Sequence, residues 1–207
     1  MRILIILYFS FLGLQSQAQS YNKDLTTAVF FFNTLATHKD FTTAVTKFEQ
    51  LYRTNPNDWI PPYYLSIIKS RISLQKGGDS DKLADEALAW IAKSKLIQVN
   101  DEVLCAESLA NTAKMSVRPS FRWLSYENKI KNPLKVAQKI NPNNPRIYIL
   151  QASIQMHLPV IFGGGCNTSR ALAQKAEKLL LAQSNEVTNL PRWGKQSIID
   201  FKKNCPF

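Results

Sequence analysis

The chain has 207 residues, of which 45% are hydrophobic and 11% are aromatic. This length and composition support one folded domain with a continuous core and exclude general disorder. The formal net charge of +11 makes an acidic partner or an anionic surface a possibility to weigh against a merely solvated basic face.

The first 18 residues have the pattern of a signal peptide. Arg2 gives a positive start, residues 3–14 are apolar but too few to span a bilayer, and small residues stand at 16 and 18. We therefore predict a signal peptide over 1–18 and a single exported domain over 19–207, periplasmic or secreted. An uncleaved N-terminal anchor is the alternative. No later stretch is apolar for long enough to predict a membrane span.

Apolar residues recur at intervals of three and four along most of the remaining chain, which predicts amphipathic α-helices. Polar segments rich in Gly, Pro and Asn separate them, and a polar turn is expected at 38–40. We expect Pro133 to kink or divide its helix, because the residue before a proline is pushed away from helical geometry. The predicted helices cover 25–36, 41–52, 61–74, 81–97, 101–115, 121–140, 145–157, 169–182 and 195–203.

Two segments have the spacing of a tetratricopeptide repeat, with small residues at helix crossings and a proline at the helix end. Pro56 and Pro142 are 86 residues apart (142 minus 56), which is not a multiple of the repeat length. We therefore predict an all-α, degenerate tetratricopeptide-like fold of antiparallel helix pairs. The matching positions are Ala44, Phe48, Leu51 and Pro56, and then Leu134, Ala137, Pro142, Tyr148 and Ala152.

The second half of the chain carries four further elements. They are an Asn-Pro-x-Asn-Pro-Arg turn at 141–146, a tyrosine at 148, a Phe-Gly-Gly-Gly loop at 162–165 and Pro-x-Trp-Gly at 191–194. In these elements the chain resembles tetratricopeptide-like, largely uncharacterised exported proteins of bacteria. The resemblance implies a helical repeat scaffold and no catalytic residues. One departure is the Cys-Asn-Thr at 166–168, where the related sequences tend to have lysines.

The segment FGGGCNTSRA at 162–171 looks more like a chemical site than any other part of the chain. Backbone N–H groups of such a loop can bind phosphate or carboxylate, which makes an enzyme or a small-anion-binding protein an alternative function. The lysine of a phosphate loop and a preceding strand are missing, however. We therefore favour a hinge in which Phe162 packs into the core and a hydroxyl caps the next helix. The candidate anion-binding residues are Gly163, Gly164, Gly165, Thr168 and Ser169.

The three cysteines and two histidines show no spacing typical of a metal site, and no cofactor or catalytic residue is expected. Cys105 lies among apolar residues and is predicted to be a core thiol. An odd number of cysteines outside the cytoplasm leaves either one disulfide and one thiol or three thiols. Cys166 and Cys205 are the candidate pair, since a loop and a chain terminus give them the most freedom to meet. His38 and His157 are expected to be structural or solvated.

The positive charge is concentrated in residues 108–176, which hold ten basic residues and one acidic residue, Glu127. The simplest interpretation is a solvated face, and the alternative is a surface for a protein partner or an acidic envelope component. Nucleic acid is not expected, because the protein is predicted to be exported and no nucleic-acid-binding motif is present. The candidate partner-binding residues are Arg122, Trp123, Tyr126, Lys131, Lys135 and Lys139.

The predicted function is therefore a non-catalytic module for protein binding or scaffolding in the cell envelope. Such helical repeats usually hold another chain on a concave surface. A structural envelope accessory recruited by the basic region 108–176 is a further alternative, beside the enzyme or anion-binding protein that uses the loop at 163–169.

Signal cleavage is directly testable. If residues 1–18 are removed on export, the mature protein starts at Gln19. Intact-mass measurement of the native secreted form should give this species, with or without cyclisation of Gln19. A secreted form that retains Met1 would contradict the predicted cleavage.

Overall fold

The computed structural model describes residues 19–34, 38–183 and 188–207, and within them all regular structure is helical. The predicted all-α fold is therefore confirmed, whereas the predicted signal peptide over 1–18 lies outside the described residues. No helix in these ranges is long and apolar enough to cross a membrane. The helices are α1 (19–34), α2 (His38–Thr54), α3 (Ile60–Leu74), α4 (Ser80–Ile97), α5 (Asp101–Val117), α6 (Pro119–Ile140), α7 (Pro145–His157), α8 (Cys166–Ala182) and α9 (Lys195–Asn204), with a short 3-10 turn at Val160–Phe162.

Several local predictions were wrong. The polar turn expected at 38–40 is the first turn of α2, and α8 begins at Cys166 rather than at Ser169. No side chain caps α8, whereas a hydroxyl cap was expected, because Gly165 is its N-cap residue. Helix α6 continues through Pro133, so the proline does not divide the helix, and the expected kink stays a prediction. Buried Ile130 and Leu134 lie on either side of this proline, and their packing holds the helix together against a cost of about 3 kcal/mol.

The helices pack in neighbouring pairs: α3 with α4, α5 with α6, and α7 with α8. In addition, α3 contacts α5 and α5 contacts α7, so these three helices form one parallel layer. Alanines let the helices approach closely, because their small side chains fill little space at a crossing. The fully or almost fully buried examples are Ala84, Ala87, Ala106, Ala110, Ala113, Ala137, Ala152, Ala173 and Ala176.

The parallel layer gives the molecule two distinct ends. Helices α3, α5 and α7 begin at one end, which we call the network end because a buried polar network lies there. They finish at the other, which we call the far end, where α4, α6 and α8 begin. The bidentate contact between Arg122 near the start of α6 and Asp81 near the start of α4, at 2.6 and 2.9 Å, confirms that these two helices start side by side.

The network end is organised around the buried carboxylate of Glu102 on α5. The Nε of Arg146 on α7 lies 2.6 Å from its Oε1, and the side-chain amide of Asn144 donates to the same oxygen at 2.8 Å. The hydroxyl of Tyr63 on α3 donates to Oε2 at 2.8 Å. One carboxylate therefore joins all three helices of the layer.

The same network fixes the segment at 188–194. The guanidinium of Arg146 donates to the carbonyl oxygens of Pro191 and Trp193 at 2.6 and 3.2 Å. The indole N–H of Trp193 donates to the hydroxyl oxygen of Tyr63 at 2.6 Å. The segment thus extends from α7 across to α3, and the Asn-Pro-x-Asn-Pro-Arg and Pro-x-Trp-Gly elements of the sequence meet there.

Electrostatics explain why the members of this network need one another. Burial raises the pKa of Glu102, and the charge and hydrogen bond of Arg146 and the hydrogen bond of Tyr63 oppose that shift. Burial lowers the pKa of Arg146, but the charge and hydrogen bond of Glu102 act in the opposite direction. The net result is that the pKa of Arg146 is raised. Burial, and then the charge of Glu102, hold the pKa of Tyr63 well above its usual range, so the hydroxyl keeps its proton and donates it.

Removing Arg146 should destabilise the fold more than removing any surface ion pair. Arg146→Met leaves the buried Glu102 carboxylate without its cation, at an expected cost of about 3 kcal/mol in the free energy of unfolding. Lys131→Ala, which breaks the exposed pair with Glu127, is the control and should cost less than about 1 kcal/mol. Denaturant unfolding would measure both. Equal losses for the two variants would contradict the central role of the network.

Candidate ligand-binding surface

The glycine loop uses its own backbone donors. The N–H groups of Gly163, Gly164 and Gly165 donate to the carbonyl oxygens of Val160, Pro159 and Gln155 at 2.9, 3.1 and 2.9 Å. The hydroxyls of Thr168 and Ser169 both donate to the carbonyl of Gly165, at 3.2 and 2.8 Å. The three glycine N–H groups are therefore engaged, two within the loop and one with the backbone of α7.

Glycine is required at these positions for two different reasons. Gly163 and Gly165 have φ of 78° and 96°, in the region that side chains rarely adopt. Gly164 is buried, and a Cβ there would fall on the backbone of Leu158. The loop is thus a tight reversal that leads from the end of α7 into α8.

Cys166 and Cys205 form a disulfide in the structure, with their Cα atoms 5.5 Å apart. The bond joins the start of α8 to the residue that follows α9. Cys105 is a free thiol with no exposed surface, as predicted for a core cysteine, and burial raises its pKa well above the usual value. The described residues contain no cluster of three or more His, Cys, Asp or Glu side chains that could hold a metal ion.

The candidate basic residues of α6 differ in availability. Arg122 is engaged with Asp81 and also donates to the carbonyl of Lys114 at 2.9 Å, and Lys131 pairs with Glu127 at 2.5 Å. In contrast, Lys135 and Lys139 are exposed and lie outside ion-pair distance of any carboxylate in the described part of the chain.

The two candidate aromatic residues of α6 are half-buried beneath basic side chains. The Nζ of Lys131 lies 5.8 Å from the ring centre of Trp123, and that of Lys129 lies 4.8 Å from the ring centre of Tyr126. These cation–π contacts keep positive charge close to the aromatic surface. The proposed partner-binding role of Trp123 and Tyr126 stays a prediction.

The far end carries a set of large, strongly exposed apolar side chains that were not predicted from the sequence. Phe162 was expected in the core, yet it is 71% exposed, because the 3-10 turn that carries it projects from the end of α7. Phe121 and Leu124 on α6 are exposed by 89% and 87%. We call this set the apolar patch; its members are Phe121, Leu124, Val160, Ile161 and Phe162.

Helix lengths bring the two halves of the apolar patch to the same end. Helix α6 has 22 residues and the antiparallel α7 has 13, so the first turns of α6 extend roughly 13 Å beyond the end of α7. The turn at Val160–Phe162 follows α7 after two residues and so lies at the same end as the start of α6. None of the α6 residues before Ile130 is buried.

The direction of Leu124 supports this placement. Arg122 marks the side of α6 that faces α4, and Gln138 marks the side that faces α7, since it accepts a hydrogen bond from Gln151 at 3.2 Å. At 3.6 residues per turn, Leu124 lies about 40° from Gln138 around the helix and about 160° from Arg122. Leu124 therefore points to the side of α6 where the Val160–Phe162 turn follows α7.

Positive charge lies at one edge of this apolar surface. Arg118 is exposed in the turn that leads to Phe121, and it lies outside ion-pair distance of any carboxylate among the described residues. Large exposed apolar patches are uncommon on soluble monomers and usually mark a binding surface. An apolar patch with a basic rim suits a ligand that is largely apolar and carries negative charge.

A separate cleft of about 980 Å³ lies at the network end, between α1 and the end of α2. Polar side chains dominate its lining, and Tyr21, its one aromatic residue, donates its hydroxyl to Asp58 at 2.8 Å. This cleft suits small polar molecules better than a large apolar ligand.

Comparison with known proteins gives one informative similarity. No protein-family model matches the chain, and no curated protein matches it. Among solved structures, the HusA haemophore from Porphyromonas gingivalis is similar, with a TM-score of 0.74 and 26% sequence identity over 86% of this chain and 88% of that one. The similar protein is all-helical and is a binding protein, which is compatible with a non-catalytic role for this chain.

Replacement of the central glycine tests the interpretation of the loop. Gly164→Ala should destabilise the protein by about 2 kcal/mol or more, because the methyl group meets fixed backbone. Gly163→Ala is the matched control; its Cβ meets open space, and only the strain of positive φ remains, about 1 kcal/mol. Thermal unfolding with and without phosphate should show no phosphate effect that either variant abolishes. A phosphate stabilisation that is lost in Gly164→Ala would restore the anion-binding interpretation.

Proposed function

We propose that this chain is an exported, non-catalytic binding protein with a degenerate tetratricopeptide-like scaffold, and that its ligand is haem or a related tetrapyrrole. The observation that carries the proposal is the exposed apolar patch with Arg118 at its edge, on a fold similar to that of a haemophore. Export rests on the signal pattern of residues 1–18. The scaffold assignment rests on the paired helices with alanines at their crossings.

The chemistry of a tetrapyrrole matches the patch. The macrocycle is flat and apolar, and contact with Phe121, Leu124 and Phe162 would remove apolar surface from water on both partners, worth about 25 cal/mol per Å². The carboxylates at the edge of the molecule require a cation, which Arg118 supplies at the rim.

The inner face of the helix layer is the surface that such repeats usually offer to a partner. Here the segment at 188–194 occupies part of it, since Trp193 and Pro191 are hydrogen-bonded to Tyr63 on α3 and Arg146 on α7. A ligand would have to displace these buried contacts to bind there. This favours the far end as the ligand site.

A second candidate is binding of a protein partner or an acidic envelope component by the outer face of α6. It is favoured by Lys135 and Lys139, which are exposed and unpaired with carboxylates in the described part of the chain. Such binding would depend strongly on salt, because exposed charges are screened over about 8 Å at 0.15 M ionic strength. The two candidates use different parts of α6 and are compatible with each other.

Titration with haem, followed by absorbance in the Soret region, tests the primary proposal. The double variant Leu124→Ser, Phe162→Ser should weaken binding about tenfold or more, which corresponds to about 1.4 kcal/mol. These side chains are already exposed in the free protein, so the variant should fold normally.

Matched controls are available at the opposite end. Leu96 and Leu181 are 88% and 80% exposed but lie near the ends of α4 and α8, at the network end. The double variant Leu96→Ser, Leu181→Ser should bind haem as the unaltered protein does. Equal weakening by both double variants, or no haem binding by the unaltered protein, would contradict the proposal.

A further inference from the structure

His157 is the last residue of α7 and is exposed to solvent, three residues before the turn at Val160–Phe162. Its Nδ1 lies 2.8 Å from the carbonyl oxygen of Ser153, one helical turn earlier. A carbonyl oxygen only accepts, so Nδ1 carries the proton and donates it. In the neutral ring, Nε2 is then the nitrogen with a free lone pair.

This arrangement is the one that metal-binding histidines commonly have. A ligating imidazole usually donates its other N–H to a carboxylate or a backbone carbonyl, which fixes the tautomer and the ring orientation. Here the acceptor belongs to the backbone of α7 itself and is held by the helix. The imidazole is therefore oriented before any ligand arrives, and imidazole is a common axial ligand of haem iron.

The cysteines and Met156 in the described part of the chain are already engaged or enclosed. Cys105 is fully buried, and Cys166 and Cys205 are joined to each other. Met156 is half-buried, and its sulfur accepts a contact from the hydroxyl of Ser169 at 3.9 Å. His157, in contrast, is exposed and lies three residues before the exposed apolar turn.

We propose that Nε2 of His157 binds the iron of haem whose macrocycle lies against Val160, Ile161 and Phe162. This assignment rests on the proposed function and goes beyond it by naming the iron ligand. The Cα atoms of His157 and Val160 are three residues apart and so lie within about 10 Å of each other. A ring bound at His157 is thus within reach of the apolar turn, whose side chains are exposed by 78%, 86% and 71%.

The test compares the binding of haem with the binding of metal-free protoporphyrin by the mature protein, residues 19–207. His157→Ala should lose the absorption spectrum of imidazole-bound haem and weaken haem binding about tenfold or more. Affinity for protoporphyrin, measured by fluorescence, should change less than about twofold, since no iron is present for His157 to bind. Adding free imidazole to His157→Gly should restore the spectrum, which a merely structural role would not allow.

His38→Ala is the matched control, because it removes the other histidine of the chain. It should leave both the spectrum and the affinity unchanged. Identical haem spectra for His157→Ala and the unaltered protein would overturn the ligand assignment, while protoporphyrin binding would still support the proposed function. Failure of the unaltered protein to bind either porphyrin would overturn both.

Discussion

The Glu102 carboxylate is the point on which the rest of the structure depends. It is a buried charge, so it has to be satisfied by partners, and those partners come from α3, α7 and the turn before α7. Because Arg146 reaches both Glu102 and the carbonyls at Pro191 and Trp193, the same charge that aligns the helix layer also fixes the segment at 188–194. Loss of the Glu102–Arg146 pair would therefore disturb both the helix packing and the inner surface.

This constraint determines which surface is left for a ligand. The network lies where α3, α5 and α7 begin, and the 188–194 segment is hydrogen-bonded across that part of the inner face. At the far end, α6 extends past the shorter α7, and the disulfide between Cys166 and Cys205 holds α9 near the start of α8. The result is a rigid helical frame with its apolar patch at the end remote from the network. A preorganised surface of this kind binds with a smaller loss of conformational entropy.

The helices could be predicted from sequence, because the apolar spacing and the Pro, Asn and Gly punctuation are local signals. The span 145–157 was predicted to the residue, since Pro145 starts it and Leu158-Pro159 ends it. The tertiary contacts that position the site could not be predicted in the same way. Trp193 and Tyr63 are 130 residues apart, and Arg122 and Asp81 are 41 apart, so neither partnership leaves a local pattern. Phe162 was misplaced because a hydrophobic residue beside glycines gives no sign of whether its turn faces inward or outward.

The location of the ligand site is the central claim, and hydrogen–deuterium exchange tests it most directly. Backbone amides would be compared with and without saturating haem. We expect added protection at 117–127 and 158–165, where the apolar patch lies, and little change at 141–146 or 188–194. Protection confined to the inner face at the network end, or to the cleft between α1 and α2, would contradict the assignment of the far end as the binding surface.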